Sequence, residues 1–220
     1  MSSDHWQKYW SSQQDPHHAS NELEFYSRMG REVLFHTGPL AGKKVLEIGC
    51  GDGALFPHFD VNIEDYTGVD FSESLLAKFQ QRFPAVRTVH SDAIGFMENN
   101  LDQFDVVISF GVLQYLDANQ LKIFFDLQKG SIVDKGIAGH FGIPVKELSS
   151  VFYRGLGSSP LVLAGRKRGL GKTLISRLRN KIGHWHDFET LISLARPGTS
   201  RVDCVSSMSY FYRCHLLQQF

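Results

Sequence analysis

Three glycines at every second position follow a short apolar run in the stretch VLEIGCGDG. The run contains one acid, Glu47, and its other residues are typical of a buried strand. Gly49, Gly51 and Gly53 would then leave the backbone without side chains just where that strand ends. Such a turn either reverses the chain or lets a ligand approach the backbone closely.

Two classes of ligand are compatible with a glycine-rich turn after a strand. A dinucleotide site has the spacing G-x-G-x-x-G, whereas this chain has G-x-G-x-G. S-adenosylmethionine has no pyrophosphate; it needs close backbone approach, an acid for its ribose hydroxyls and a polar group for its adenine amine. The spacing favours S-adenosylmethionine, and a turn that only reverses the chain stays open as the structural alternative.

Side chains that suit this ligand follow the next two predicted strands. Asp70 ends the segment GVD, Phe71 could pack against the base, and Asp92 follows the segment VHS. All three come at the carboxyl ends of strands, where ligands bind in parallel sheets. Each has a structural alternative, because Asp70 and Asp92 could cap helices and Phe71 could be a core residue. Their occurrence in the required order favours a cofactor site.

A parallel sheet would bring these residues together at one edge. The chain alternates between strand-like and helix-like segments, as such a sheet requires. Near-continuous apolar strands separated by helices predict an α/β fold with helices on both faces of the sheet. The predicted strands are residues 43–49, 65–70, 86–90, 104–110, 136–144, 201–207 and 210–220. The predicted helices are residues 19–35, a helix starting at Ala54, and residues 72–83, 93–100, 118–129, 172–182 and 187–195, with caps at Asn21 and Asp187.

The chain resembles the class I S-adenosylmethionine-dependent methyltransferases of the small-molecule type. VLEIGCGDG is similar to their first motif, GVDFSESLL to the second, SDA to the third and FDVVISFGVLQYL to the fourth. Residues 201–220 resemble the last two strands of that family. The resemblance implies a Rossmann-like, doubly wound seven-stranded sheet, mostly parallel with an antiparallel last strand, in the order 3-2-1-4-5-7-6.

The same resemblance implies S-adenosyl-L-methionine as the cofactor and no metal. Glu47 would influence the amino end of the methionine part, and Asp70 would accept the ribose hydroxyls. Asp92 with Ala93 would hold adenine, and Phe110 would border the transfer site. The implied cofactor-binding residues are Glu47, Gly49, Gly51, Gly53, Asp70, Phe71, Asp92, Ala93 and Phe110.

A hydroxyl acceptor also needs a residue that takes its proton. Many small-molecule members of the family have a His where this chain has Gln114, so the base must lie elsewhere. His140 on the fifth predicted strand is the first candidate and His184 is the second. Each has a structural alternative, namely a buried core histidine and a neighbour of a helix start. The absence of an Asn-Pro-Pro-aromatic sequence after the fourth strand disfavours nucleobase and glutamine substrates.

Length and composition indicate one soluble globular domain. The 220 residues are 42% hydrophobic and 21% charged, and no apolar run reaches membrane-spanning length. We divide the chain into an N-terminal helical lid at 1–40 and a methyltransferase domain at 41–220, with a basic substrate-side insertion at about 146–186. The first residues do not resemble a secretory signal and the three cysteines form no disulfide or metal-ligand pattern, so we expect a cytoplasmic location.

The formal net charge is zero, but the charge is unevenly distributed along the chain. Residues 151–186 contain eight basic and no acidic residues, which favours an anionic acceptor or surface, or else a solvated helix face. We expect methyl transfer to an oxygen of a small or carrier-linked acceptor, with phosphate-bearing and saccharide acceptors in the same class. The alternatives are a non-catalytic binding module of this fold and a lipid or quinone methyltransferase in peripheral contact with a membrane. No specific nucleic acid partner is expected.

Overall fold

The computed structural model describes residues 22–153 and 183–220, which form a sheet covered by helices. The strands are β1 (Val45–Ile48), β2 (Tyr66–Asp70), β3 (Arg87–His90), β4 (Phe104–Phe110), β5 (Ile132–Pro144), β6 (Arg201–Ser206) and β7 (Arg213–Gln219). Within the described residues they lie in the order β3-β2-β1-β4-β5-β7-β6. β1 to β5 pair in parallel, and β7 is antiparallel to both β5 and β6. The predicted fold class and strand order are confirmed.

Helices lie on both faces of the sheet. They are α1 (Glu22–Thr37), α2 (Glu73–Arg82), α3 (Ala93–Asn99), α4 (Ala118–Gln128), α5 (Ser149–Tyr153) and α6 (Phe188–Ala195). α1 and α2 share one buried core with the sheet, and α3, α4 and α6 share the other. Because both faces are covered, all four residues of β1 are buried. Among the described helices, none has the length and apolar composition needed to cross a bilayer.

The helix predicted to start at Ala54 is wrong. The chain forms a single 3-10 turn there, at Phe56–His58, with Pro57 in its first turn. The next residue, Phe59, is extended, with φ of −98° and ψ of 142°. A 3-10 turn that is followed at once by extended backbone does not propagate into an α-helix, so the short segment after the glycines stays irregular.

The predicted cap of the last helix is confirmed. Asp187 is the N-cap of α6, and its Oδ1 accepts a hydrogen bond from Thr190 N at 2.8 Å. This bond satisfies one of the free amides of the first turn. The predicted cap at Asn21, the predicted helix at 172–182 and most of the basic segment lie outside the described residues.

Helix α1 packs directly on the sheet. Its buried residues Phe25 and Val33 belong to the same core as Phe141 of β5. The described part of the predicted lid, which was drawn at residues 1–40, therefore contributes to the core beside the sheet, while its first 21 residues lie outside the described residues. Closure of this segment over a ligand stays a prediction.

A buried histidine joins β5 to α4 on the opposite face. His140 is fully buried, and the ring centroids of Phe124 and Phe125 lie 5.5 and 5.6 Å from its own. Ser109 Oγ donates to His140 Nδ1 at 2.8 Å, and Nε2 donates to Gln128 Oε1 at 3.2 Å. Burial lowers the pKa of His140 from 6.5 to about 4, so the ring is neutral at pH 7.

This lowered pKa predicts a loss of stability in acid. Between pH 6.5 and about 4 the unfolded chain takes up a proton at His140 that the folded chain does not, so the free energy of unfolding should fall by about 3 kcal/mol. His140→Gln should be less stable than wild type at pH 7.5, by about 1 to 3 kcal/mol, but should depend less on pH in this window. Urea unfolding at several pH values measures both effects.

The exposed residue His90 provides the matched control. His90→Gln should keep the wild-type dependence on pH. A His140→Gln variant whose stability falls as steeply with acid as that of the wild type would show that His140 is not the group responsible.

Candidate functional site

The carboxyl ends of β1 to β4 meet at one edge of the sheet because these strands are parallel neighbours. The glycine turn follows β1, Asp70 ends β2, Asp92 follows β3, and Phe110 ends β4. The structure therefore brings together residues that are up to about 60 positions apart in the chain. We call this edge the candidate site; it is formed by residues 47–53, 70–72, 92–93 and 110–111.

The turn after β1 requires glycine for two different reasons. Gly49 and Gly51 have φ values of 77° and 55°, a region that favours glycine. A Cβ on Gly49 would lie 2.3 Å from Val112 Cγ2, and one on Gly53 would overlap a core ring, so internal packing excludes side chains there. A Cβ on Gly51 would have only Leu75 Cδ1 within 4 Å, at 3.8 Å. Gly51 is therefore the glycine beside which a ligand has room.

The Asp70 carboxylate joins this turn to the loop after β2. Its Oδ2 accepts a hydrogen bond from Gly51 N at 2.9 Å, and its Oδ1 accepts one from Ser72 N at 2.8 Å. Asp70 is only 7% exposed; burial raises its pKa, and the two backbone bonds offset part of that rise. The N-cap of α2 is Ser72, not Asp70. Since each carboxylate oxygen has a second lone pair, Asp70 retains acceptor capacity for a ligand.

Asp92 has the structural role that the sequence left open. It is the N-cap of α3, where its Oδ1 accepts from Ile94 N at 3.0 Å and from Gly95 N at 2.9 Å. Asp92 itself is exposed, while Phe71 and Ala93 are half-buried. Capping explains why an Asp stands at this position. Contact of Asp92, Ala93 and Phe71 with a ligand stays a prediction.

Glu47 is buried beside the turn and has a partner that sequence reasoning missed. Tyr66 Oη donates to Glu47 Oε2 at 2.5 Å. Burial raises the pKa of Glu47 to about 7, the Tyr66 hydrogen bond lowers it in part, and the nearby charge of Asp70 adds to the rise. A Tyr at the start of a strand is ordinary in a sequence. Only the parallel pairing of β1 with β2 shows that it reaches Glu47.

The end of β4 contacts helix α1. Phe110 is half-buried, and its ring centroid lies 6.4 Å from that of Phe25 in an edge-to-face arrangement. The next residue, Gly111, donates its N–H to Phe141 O at 2.8 Å and accepts from Gln114 Nε2 at 2.8 Å. Gln114 Oε1 is buried and has no hydrogen bond within the part of the chain that the structure describes. The helix, the strand end and this amide therefore form one wall.

The segment at 183–186 lies against the turn that follows β4. His184 N donates to Gln114 O at 2.7 Å, and His186 Nε2 donates to Leu113 O at 3.0 Å. The buried ring of His186 is thus held by the backbone, whereas His184 is half-buried. The structure therefore brings the backbone of the second predicted base, His184, next to Gln114.

The first predicted base, His140, does not lie at the candidate site. Side chains alternate between the two faces of a strand, and His140 faces α4 while Phe141 faces α1. Ser109 and Gln128 occupy both of its ring nitrogens. This geometry is that of a satisfied core histidine, and it does not support the predicted catalytic role.

Comparison with known proteins classifies this arrangement. Residues 46–129 match a family model described as a methyltransferase domain. Over this part of the chain the sequence is therefore similar to a methyltransferase domain. Uncharacterized methyltransferases of Mycobacterium bovis and Mycobacterium tuberculosis are 33% identical to the chain over 81 residues, which cover 36% of this chain and 41% of theirs. The matched segment therefore spans less than half the length of these curated relatives.

Solved structures with a similar fold include methyltransferases. The N-methyltransferase NodS of Bradyrhizobium japonicum, solved with S-adenosyl-L-homocysteine, has a TM-score of 0.60 at 18% identity, covering 99% of this chain and 97% of that one. An S-adenosylmethionine-dependent methyltransferase of Clostridium acetobutylicum has a TM-score of 0.63 at 14% identity, covering 90% and 92%. At these identities the likeness supports the fold and nothing beyond it.

The two reasons for glycine in the turn predict different costs of substitution. Gly51→Ala should cost about 1 to 2 kcal/mol of stability, since it adds only left-handed backbone strain. Gly49→Ala should cost about 3 kcal/mol or more, because it adds a clash with Val112. Val112→Ala removes the clashing methyl, so Gly49→Ala should cost at least about 1 kcal/mol less in that background. Equal costs in both backgrounds, measured by urea unfolding, would contradict the packing explanation.

Proposed function

We propose that the chain transfers a methyl group from S-adenosyl-L-methionine to an oxygen of a small or carrier-linked acceptor. The observation that supports this most is the open backbone of Gly51 beside the buried Asp70 carboxylate, at the carboxyl edge of a methyltransferase domain. The matched mycobacterial relatives are described as methyltransferases. The NodS structure, which has a similar fold, was solved in complex with S-adenosyl-L-homocysteine.

The residues of the candidate site fit this cofactor. A side chain of any size at Gly51 would fill the room beside the turn, and Asp70 would accept the ribose hydroxyls with its second lone pairs. Glu47, which with a pKa of about 7 is partly ionised at neutral pH, would favour the cationic amino end. Asp92 and Ala93 would lie at the adenine end. When bound, the cofactor supplies a methyl group that is activated by its sulfonium.

The protein has two tasks on the acceptor side, namely alignment and proton removal. The rings of Phe25 and Phe110 shield the end of β4 from water. The His184 imidazole would take the proton from an acceptor hydroxyl. Gln114 Oε1, which is buried without a partner among the described residues, would accept a hydrogen bond from the acceptor, because leaving a buried acceptor unpaired costs about 1 to 3 kcal/mol.

The same proposal includes three further expectations. They are an anionic acceptor, a cytoplasmic location and a catalytic domain that begins at residue 41. Support for an anionic acceptor from the basic residues comes from the sequence, since residues 154–182 lie outside the described residues. We keep α1 in the proposed lid because its residue Phe25 packs beside Phe110 at the end of β4.

The cofactor assignment predicts a large effect of Asp70. Asp70→Asn keeps the size of the side chain and removes its charge, so S-adenosyl-L-homocysteine should bind more than tenfold more weakly, equivalent to about 1.5 to 3 kcal/mol. Isothermal titration measures the affinity, and the melting temperature shows that the variant is folded. Asp65→Asn is the matched control at the other end of β2, where the carboxylate accepts only from Asn62 Nδ2 at 2.8 Å in the described bonds. Unchanged affinity in Asp70→Asn would remove Asp70 from the site.

The base assignment predicts a loss of turnover without a loss of cofactor. His184→Gln should lower the rate at least about 100-fold and leave S-adenosyl-L-homocysteine affinity within about twofold of wild type. Transfer of tritium from methyl-labelled cofactor to the fractionated small molecules of a cell extract measures turnover. Labelled methanol released by alkali identifies a methyl ester.

His186→Gln is the comparison variant, because that ring is already bound to Leu113 O. It should lower the melting temperature more than the rate. A His184→Gln variant with more than half the wild-type turnover would overturn the role of His184. If the wild type binds the cofactor but labels no fraction, the chain is the non-catalytic binding module instead.

A further inference from the structure

Two half-buried arginines near the end of β4 have donors that nothing in the described chain satisfies. Arg28 lies on α1 and Arg213 is the first residue of β7. The Nε of each is buried without a hydrogen-bond partner. Within residues 22–153 and 183–220, neither guanidinium takes part in an ion pair. A buried N–H on a charged group without an acceptor is uncommon in folded proteins, which points to a ligand.

A buried hydrogen bond between α1 and β7 indicates that the two arginines lie at a similar level. Glu32 Oε1 of α1 lies 2.6 Å from His215 Nε2 of β7. Arg28 is one helical turn before Glu32, about 6 Å along the axis, and Arg213 is two residues before His215, about 6.6 Å along the strand and on the same face. Going back from Glu32 to Arg28, and from His215 to Arg213, leads in both cases toward the carboxyl edge of the parallel strands. This direction follows because Phe25, at the start of α1, contacts the end of β4.

Arg213 is held close to the proposed transfer site. One of its terminal nitrogens, Nη1, donates to Gly142 O, and its Cζ lies 5.7 Å from the ring centroid of Tyr210 and 5.2 Å from that of Tyr212. The point where Gly142 would have a Cβ lies 3.7 Å from Arg213 Nη1, and 3.8 Å from both Gly111 N and Phe110 Cζ. The guanidinium is therefore next to the residues that border methyl transfer.

The acid near the arginines forms no ion pair with either of them in the described chain. Glu32 Oε1 accepts hydrogen bonds from His215 Nε2 and from Met208 N at 2.7 Å, and Glu32 Oε2 is buried without a partner among the described residues. Two guanidinium groups at one level of a partly buried surface repel each other. An oxyanion between them would remove this repulsion and accept both Nε–H groups in short, charge-assisted bonds.

We propose that Arg28 and Arg213 form an oxyanion subsite for the methyl acceptor, with the carboxylate or phosphate of the acceptor held beside Phe110 and Gly111. This inference rests on the proposed function and assigns the side of the site on which the acceptor binds. It depends on the described residues alone, so it is independent of the basic segment at 154–182.

The test uses the full chain saturated with S-adenosyl-L-homocysteine and follows the Nε–H resonances of its arginines by NMR. Sodium acetate and inorganic phosphate are added separately at constant ionic strength, with chloride as the reference. The resonances of Arg28 and Arg213 should shift saturably with one shared dissociation constant, and the anion that binds more tightly identifies the group on the acceptor. Arg31, which donates to Ser27 Oγ on the same helix, should not shift.

Substitutions connect the shifts to the two side chains. Arg28→Gln should raise the anion dissociation constant at least about tenfold, while Arg31→Gln, the matched control on α1, should leave it unchanged. Arg213→Lys keeps the charge but loses the paired donors, so it should weaken binding without unfolding the chain. Cofactor affinity should stay within about twofold in all three variants.

Three outcomes would overturn the subsite: no saturable shift beyond that with chloride, an equal shift at Arg31, or an unchanged anion response of Arg213 in Arg28→Gln. The last result, with a lower melting temperature, would mean that Arg28 pairs with Glu32 in solution. Failure of the wild type to bind S-adenosyl-L-homocysteine at all would instead contradict the proposed function. The anion titration without cofactor would still report on the arginines.

Discussion

The Asp70 carboxylate accepts the N–H groups of Gly51 and Ser72, and these two hydrogen bonds set the relative positions of the loops after β1 and β2. A carboxylate that is 7% exposed needs such donors, because burial alone raises its pKa. The same bonds orient the open backbone of Gly51 toward the side on which a ligand has room. The architecture of the candidate site therefore depends on one acidic side chain at the end of one strand.

The side on which we propose that the acceptor binds depends on a second buried contact, between Glu32 and His215. Burial raises the pKa of Glu32, but the hydrogen bonds from His215 and Met208 N outweigh it, so the net pKa is lowered and Glu32 is ionised at neutral pH. This pair fixes α1 against β7. As a consequence the Phe25 ring packs against the Phe110 ring. The two functions proposed for this part of the site, exclusion of water and recognition of an anion, therefore both depend on how α1 packs against β7.

Much of the fold could be predicted from local patterns, because each pattern has a local physical cause. Apolar runs with glycine at their ends predicted the central strands, and the resemblance to a known family supplied their order. The failure at Ala54 has a local cause as well, since Pro57 and extended Phe59 limit that segment to one 3-10 turn. The cap at Asp187 was correct because capping requires only a side chain and the three residues after it.

The sequence by itself determined the residue types at the cofactor edge, since glycine spacing and an acid at a strand end follow from the chemistry of close approach and hydroxyl binding. Tertiary structure decided which histidine lies near the end of β4. The sequence ranked His140 ahead of His184, but strand alternation buries His140 under α4, whereas the backbone hydrogen bond from His184 N to Gln114 O places residue 184 beside the turn that follows β4. Tyr66 beside Glu47, and Arg28 at the level of Arg213, likewise became visible only in three dimensions. These residues lie 19 and 185 positions apart in the sequence, and their relative placement depends on how whole elements pack, which no local pattern encodes.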